Sequence, residues 1–216
     1  TSLRRFDAFT TSMYVPRFIE PTVGDLLKTT PVVILEGARS VGKTRLLARL
    51  LELGTVHRVV SLIDPTARAA ATEDPALWLR SLGDSFAVDE AQLAPGLPLA
   101  LKQRLDRETE RLRCVLTGSA SLGRTGLGGS DPLARRSVRL TLEPLSEAEL
   151  GGSGRSWSVI EQLFGGEPIS GASAATDWRV AAERGGLPRY RLLAHDLRPR
   201  QVLDDIEAII TDDVLP

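Results

Sequence analysis

Cysteine, histidine and lysine are nearly absent from this chain, and each shortage removes a class of explanation. Cys114 is the one cysteine in 216 residues, so no internal disulfide staples the fold. It stands in the apolar run Cys114-Val115-Leu116, where a small buried hydrophobe is expected rather than a reactive thiol. The two histidines, His57 and His195, are isolated and have no metal-ligand spacing around them. Lys28, Lys43 and Lys102 are the only lysines; the remaining basic residues are arginines, a bias that reads as GC-rich coding rather than function. Aromatics amount to 5%, and Trp78, Trp157 and Trp178 are expected in packing rather than as platforms for stacked bases. No apolar stretch approaches the roughly 20 residues needed to span a membrane. The first ten residues, TSLRRFDAFT, hold no apolar signal core, so a cytoplasmic protein is expected. They also lack an initiator methionine and read as the start of a trimmed or engineered fragment. Net charge is −1, so no global positive field draws the chain to DNA or to an anionic membrane.

What is present is a core-forming composition, 42% hydrophobic, enough for one medium domain or a domain with a small appendage. Over residues 1–30 the pattern is mixed, and Pro16 and Pro21 are expected to break any long helix. Val32-Val33-Ile34-Leu35 is a continuous apolar run, as in a strand buried on both faces of a parallel sheet. From Lys43 to Leu53, Leu46, Leu47, Leu50 and Leu51 form a helical stripe that Gly54 stops. Further strands are expected at 59–63, 86–88, 114–116 and 138–142, with helices at 75–82 and 99–112. Strands alternating with helices predict an α/β fold with a parallel sheet flanked by helices; periodicity does not order the strands. Gly123 to Ser130 reads as a surface loop, and Gly151 to Gly154 as a joint. Beyond it the pattern is helical only, at 157–164, 177–184, 189–195 and 199–212.

Chemistry concentrates at three strand ends. Gly37-Ala38-Arg39-Ser40-Val41-Gly42-Lys43-Thr44 fits G-x-x-x-x-G-K-[ST] between an expected strand and an expected helix. Its glycines let backbone N–H groups curl round phosphate oxygens, and the helix N-terminus adds partial positive charge. Lys43 is placed to reach the β- and γ-phosphates of ATP, and the Thr44 hydroxyl to ligate Mg²⁺. Arg45 follows on the first helical turn and joins the nucleotide-binding set. Phe86-Ala87-Val88-Asp89-Glu90 is an apolar strand ending in two carboxylates. Asp89 suits magnesium, and Glu90 suits a water to be polarised. A solvated strand cap is the bland alternative. Leu116-Thr117-Gly118-Ser119 ends a later strand. There Thr117 or Ser119 either meets the γ-phosphate and attacking water or forms a turn. Arg135, Arg136, Arg184 and Arg189 are candidate partners for transition-state charge in a chain whose arginines are mostly surface.

Taken in order, these segments resemble a prokaryotic family of AAA+-type ATPases. Besides the P-loop, the matching segments include Tyr14-Val15-Pro16-Arg17, Val60-Ser61-Leu62-Ile63-Asp64-Pro65 and Val88-Asp89-Glu90-Ala91-Gln92. The others are Leu116-Thr117-Gly118-Ser119, Leu133-Ala134-Arg135-Arg136, Glu143-Pro144-Leu145-Ser146 and Gly185-Gly186-Leu187-Pro188. The resemblance implies a five-stranded P-loop core, residues 1–144, followed by a helical lid, residues 145–216. It implies Asp89 on magnesium, Glu90 on water and Ser119 as a γ-phosphate sensor. Arg136 falls at the family's arginine before the last strand, where a neighbouring subunit of a homo-oligomer could receive it as a finger. Arg189 is a weaker sensor candidate, and Tyr14 to Arg17 fall near the adenine. The family usually has glycine where Arg135 stands. Its members usually carry a further C-terminal domain, which would begin near Pro216. ATP over GTP is favoured by the same resemblance.

The expected activity is hydrolysis of Mg-ATP to ADP and phosphate, coupled to movement of the lid or of an unidentified protein partner. One rival is a slow-turnover signalling or defence switch, separated from an engine by whether turnover is sustained. A second is a nucleic-acid-associated motor or loader, against which the net charge and the lack of a DNA-reading motif argue.

Overall fold

A computed structural model describes residues 14–107, 112–118, 131–152, 164–166, 178–191 and 197–209. The expected loop at 123–130 lies outside these residues, as do Trp157, Ser119 and all but the last residue of the expected helix at 157–164.

Five parallel strands form the centre: β1 (Val32–Glu36), β2 (Val59–Ser61), β3 (Ser85–Asp89), β4 (Arg113–Gly118) and β5 (Ser137–Thr141). Their order across the sheet is β2-β3-β4-β1-β5. The first strand in sequence is thus interior, and every residue from Val32 to Glu36 is buried. A strand covered on both faces needs no polar alternation, which is why it reads as an unbroken apolar run.

The two faces bury different sets. Val33, Leu35, Ala87 and Val115 pack against α1 (Ile19–Thr29) and α2 (Lys43–Glu52), through Val23, Leu27, Leu46, Leu47 and Leu50. Val32, Ile34, Phe86, Val88, Cys114 and Leu116 pack on the other face. Their partners there are α3 (Pro65–Glu73), α4 (Pro75–Ser81) and α5 (Leu97–Arg107). Burial raises the Cys114 thiol pKa well above its ordinary value, the behaviour expected of an inert core cysteine.

Two elements depart from expectation. Pro21 does not prevent α1, because it falls in the first turn, where its missing N–H has no intrahelical acceptor to lose. The helix α3 has no signal in the apolar pattern, because PTARAAATE offers small residues and no large apolar stripe. Asp64 starts it, accepting from the Thr66 and Ala67 amides, and Pro65 takes the first helical position.

After β5 the chain enters α6 (Glu147–Leu150), opened by a capping box of Ser146 and Glu149. Further helices among the described residues are α7 (Trp178–Arg184), α8 (Pro188–Arg191) and α9 (Arg198–Ile209). The segment before α8 docks on the segment before α6. Leu145 N–H donates to the Gly186 carbonyl at 2.7 Å, and a Cβ on Gly186 would stand 2.7 Å from the Leu145 oxygen. Only glycine fits there. Among the described residues, no helix is long and apolar enough to cross a membrane.

Candidate functional site

The P-loop joins β1 to α2. Gly37 leaves the strand against the Leu142 backbone, where a Cβ would lie 2.6 Å from the Leu142 oxygen. Gly42 precedes the helix at φ 107, a conformation that L-residues rarely adopt. Between them Val41 is fully buried and anchors the loop, whereas Ala38, Arg39 and Ser40 are exposed. Lys43 folds back over the loop and donates to the Gly37 and Ala38 carbonyls at 2.8 and 3.0 Å. Burial lowers its pKa, against the opposing pull of Glu90 and Asp89. A cation so placed gains from an arriving phosphate.

The acidic pair meets the loop from β3. Thr44 Oγ1 donates to Asp89 Oδ2 at 2.8 Å. From β4, Thr117 Oγ1 donates to Asp89 Oδ1 at 2.5 Å and accepts the Glu90 N–H at 3.1 Å. Parallel register explains the meeting: Val88 pairs with Leu116, so Asp89 lies level with Thr117 on the face toward α2. Glu90 follows the strand at φ 56, in the left-handed region. Its Oε2 accepts from Gln92 Nε2, and the other Gln92 amide atom, Oε1, is buried and has no hydrogen-bond partner among the described residues.

The donor set tests the fit of a metal. A threonine hydroxyl and a carboxylate are hard oxygen ligands suited to magnesium. Among the described residues, no cluster of three or more His, Cys, Asp or Glu could cage an ion. Two protein oxygens beside a phosphate cradle match an ion whose remaining ligands are phosphate and water.

Beside α2 opens a pocket of about 480 Å³, lined by Tyr14, Val15, Gly42, Arg45 and Pro188 together with Arg17, Arg184, Arg191 and Arg198. Tyr14 to Arg17 therefore adjoin the loop. Tyr14 donates to Glu20 at 2.7 Å, and burial is the main reason its pKa is raised. Arg189 does not line this pocket; it pairs with Asp205 at 3.0 Å. Arg191, which does line the pocket, bonds Glu147 at 2.8 Å and the Gly185 carbonyl at 3.2 Å.

Arg136 stands elsewhere. Just before β5, it pairs with Asp106 and donates to the Lys102 carbonyl, both in α5. Ser137 is level with Val32, so Arg136 sits at the sheet end opposite the P-loop. At about 3.3 Å per residue, the six steps from the level of Arg136 to Gly37 put it roughly 20 Å away. It cannot serve the site of its own chain. Arg135 beside it has φ 67, a conformation that favours the glycine the family usually carries there.

Sequence reasoning assigned no role to Gln92, Glu149, or the Glu36–Arg139–Asp131 network beside the loop, in which Arg139 bonds both carboxylates. Of these, Gln92 carried a signal in its place in the resemblance segment after Glu90, and Glu149 one in the Ser-x-x-Glu spacing of a capping box, which marks a helix start but not its pairing with Arg17.

No curated protein matches the chain. Among solved structures it is similar to Cdc6p from Pyrobaculum aerophilum, at 19% identity, covering 68% of this chain and 52% of that one, with a TM-score of 0.42. A DNA replication initiation factor shares 13% identity over 88% of this chain and 59% of its own, with a TM-score of 0.46. The Orc1 protein of Aeropyrum pernix, solved in complex with DNA, shares 18% identity over 88% and 63%, with a TM-score of 0.44. The chain spans between half and two thirds of the length of these three, a likeness too loose to speak of ligand or partner. The decisive match is to the family model of the AAA domain, over residues 29–151, more than half the chain and all five strands. The chain belongs to that family of P-loop ATPases.

Proposed function

We propose that the chain hydrolyses Mg-ATP to ADP and phosphate. The observation that carries this reading is the Thr44–Asp89 contact at 2.8 Å, which puts a hydroxyl and a carboxylate side by side at the mouth of the P-loop. In this reading Gly37 to Arg45 hold the nucleotide, and Lys43 leaves its loop carbonyls for the β- and γ-phosphates. Thr44 and Asp89 hold magnesium, which neutralises charge on the phosphate oxygens when bound. Glu90 accepts a proton from the attacking water, and Ser119 senses the γ-phosphate. The Tyr14 pocket receives the nucleoside, and residues 145–216 act as a lid whose movement, or that of a protein partner, is the output.

Phosphate release by the full chain and by Glu90→Gln tests it, with nucleotide binding measured alongside. Glu90→Gln is expected to bind ATP and to lose about 100-fold or more in turnover. Equal turnover in both proteins would sink the assignment.

A slow switch is the second reading, and Glu90 favours it: Gln92 occupies one carboxylate oxygen, and Arg136 is out of reach within the chain. An arginine from a neighbouring subunit would then set the rate. A nucleic-acid motor finds no support in a net charge of −1.

A further inference from the structure

Arg17 is a buried cation to which the reading above gives no task. Its side chain is 5% exposed and that of its partner Glu149 is 6%, with Nε 3.1 Å from Oε1. The other two guanidinium nitrogens hold backbone carbonyls: Nη1 reaches Val41 O at 3.2 Å and Nη2 reaches Glu143 O at 2.5 Å. Glu149 is satisfied in turn by the Phe18 amide at 2.9 Å and the Ser146 amide at 2.9 Å. One fork thus ties the residues before α1, the P-loop and the start of α6.

Stability alone is a poor account of such a pair. Well-packed apolar residues often replace a buried ion pair at no cost. The specific content lies in the contact with Val41. A trans peptide is planar, so the carbonyl of one residue and the N–H of the next point in opposite directions. A guanidinium drawing the Val41 carbonyl to one side sends the Gly42 N–H to the other. Gly42 cannot fix that orientation by sterics, since a glycine at φ 107 has no side chain to hold it there. Its N–H also belongs to the helix N-terminus, where amides are available to an anion.

We infer that Arg17 is a positioning residue of the phosphate site: it orients the Val41–Gly42 peptide so that the Gly42 N–H meets the bound phosphate, and Glu149 links that orientation to α6. This rests on the nucleotide reading. It also gives α6 a physical route to the phosphate site, since displacing Glu149 frees the guanidinium that holds Val41.

The test is equilibrium binding of Mg-ATP to the full chain, with the Gly42 amide followed by NMR. Wild type is expected to show a nucleotide-dependent shift of that amide. Arg17→Met is expected to weaken binding about tenfold or more and to abolish the shift. Glu149→Gln weakens binding less, and the double variant is no worse than Arg17→Met, because both act through one contact. If Arg17→Met does not fold, Arg17→Lys decides: one ammonium keeps the charge opposite Glu149 but cannot hold two carbonyls as well. Binding within twofold of wild type in a folded Arg17 variant, with the amide shift intact, overturns the inference and leaves the nucleotide reading standing. No ATP binding by wild type overturns both.

Discussion

Thr117 lies one strand away from Asp89, and its single hydroxyl serves both acidic residues. Thr117→Val keeps the shape and removes the bond to Asp89 and the acceptor for the Glu90 amide. Steady-state kinetics are expected to show kcat lowered about tenfold or more, with the chain destabilised by about 1–3 kcal/mol. Arg135 makes the opposite case. A non-glycine residue at positive φ costs on the order of 1 kcal/mol or more. Arg135→Gly should therefore raise the melting temperature and leave ATP binding unchanged. At this scale, what could be read from the chain was what lies together along it. The P-loop and Asp89-Glu90 are contiguous, and their chemistry follows from residue type and spacing. The Arg17–Glu149 pair spans 132 residues and the Thr117–Asp89 bond spans 28, and nothing local marks either as a partnership.

Elements were legible where burial is simple. Strands covered on both faces announce themselves as apolar runs, and α2 by its leucine stripe. The helix α3 buries only Ala71 fully and shows no such stripe, so tertiary packing decides it rather than pattern. The docking of the Gly186 segment on Leu145 is equally unmarked in the sequence, although both stretches belong to motif segments. Gly186→Ala would place a methyl 2.7 Å from one backbone oxygen and 2.8 Å from Pro144 Cβ. Thermal unfolding should show a loss of about 1–3 kcal/mol, and the pocket beside α2 should loosen, since Pro188 lines it. Glu149, capping α6, gives a pH dependence. Its burial would raise its pKa, but the Ser146 and Phe18 amides and Arg17 outweigh this and hold it below the ordinary value. A depressed carboxylate pKa stabilises the fold above its unfolded value and loses that contribution as pH falls through the folded one. Melting scans should therefore show stability lost below about pH 4. Glu149→Gln should flatten that slope.

At the scale of the whole molecule, the strand order sets which residues can cooperate. Arg136 and the P-loop lie at opposite ends of the sheet, so any role in hydrolysis runs between copies of the chain. Complementation measures this directly. Mixing Arg136→Ala with Glu90→Gln should restore activity that neither has alone, because some interfaces then pair an intact Glu90 with an intact Arg136. No recovery would remove Arg136 from the mechanism. Strand order was the least legible property, because alternation of strands and helices is compatible with several arrangements. The interior position of β1 also has a temporal consequence. Its neighbours begin at Arg113 and Ser137, so a chain emerging from the ribosome exposes the P-loop long before the strands that brace it. Nascent chains arrested before β5 should fail to be retained on immobilised ATP, and those arrested well beyond α6 should be captured. Nucleotide capture would then mark the moment at which synthesis has passed the last strand.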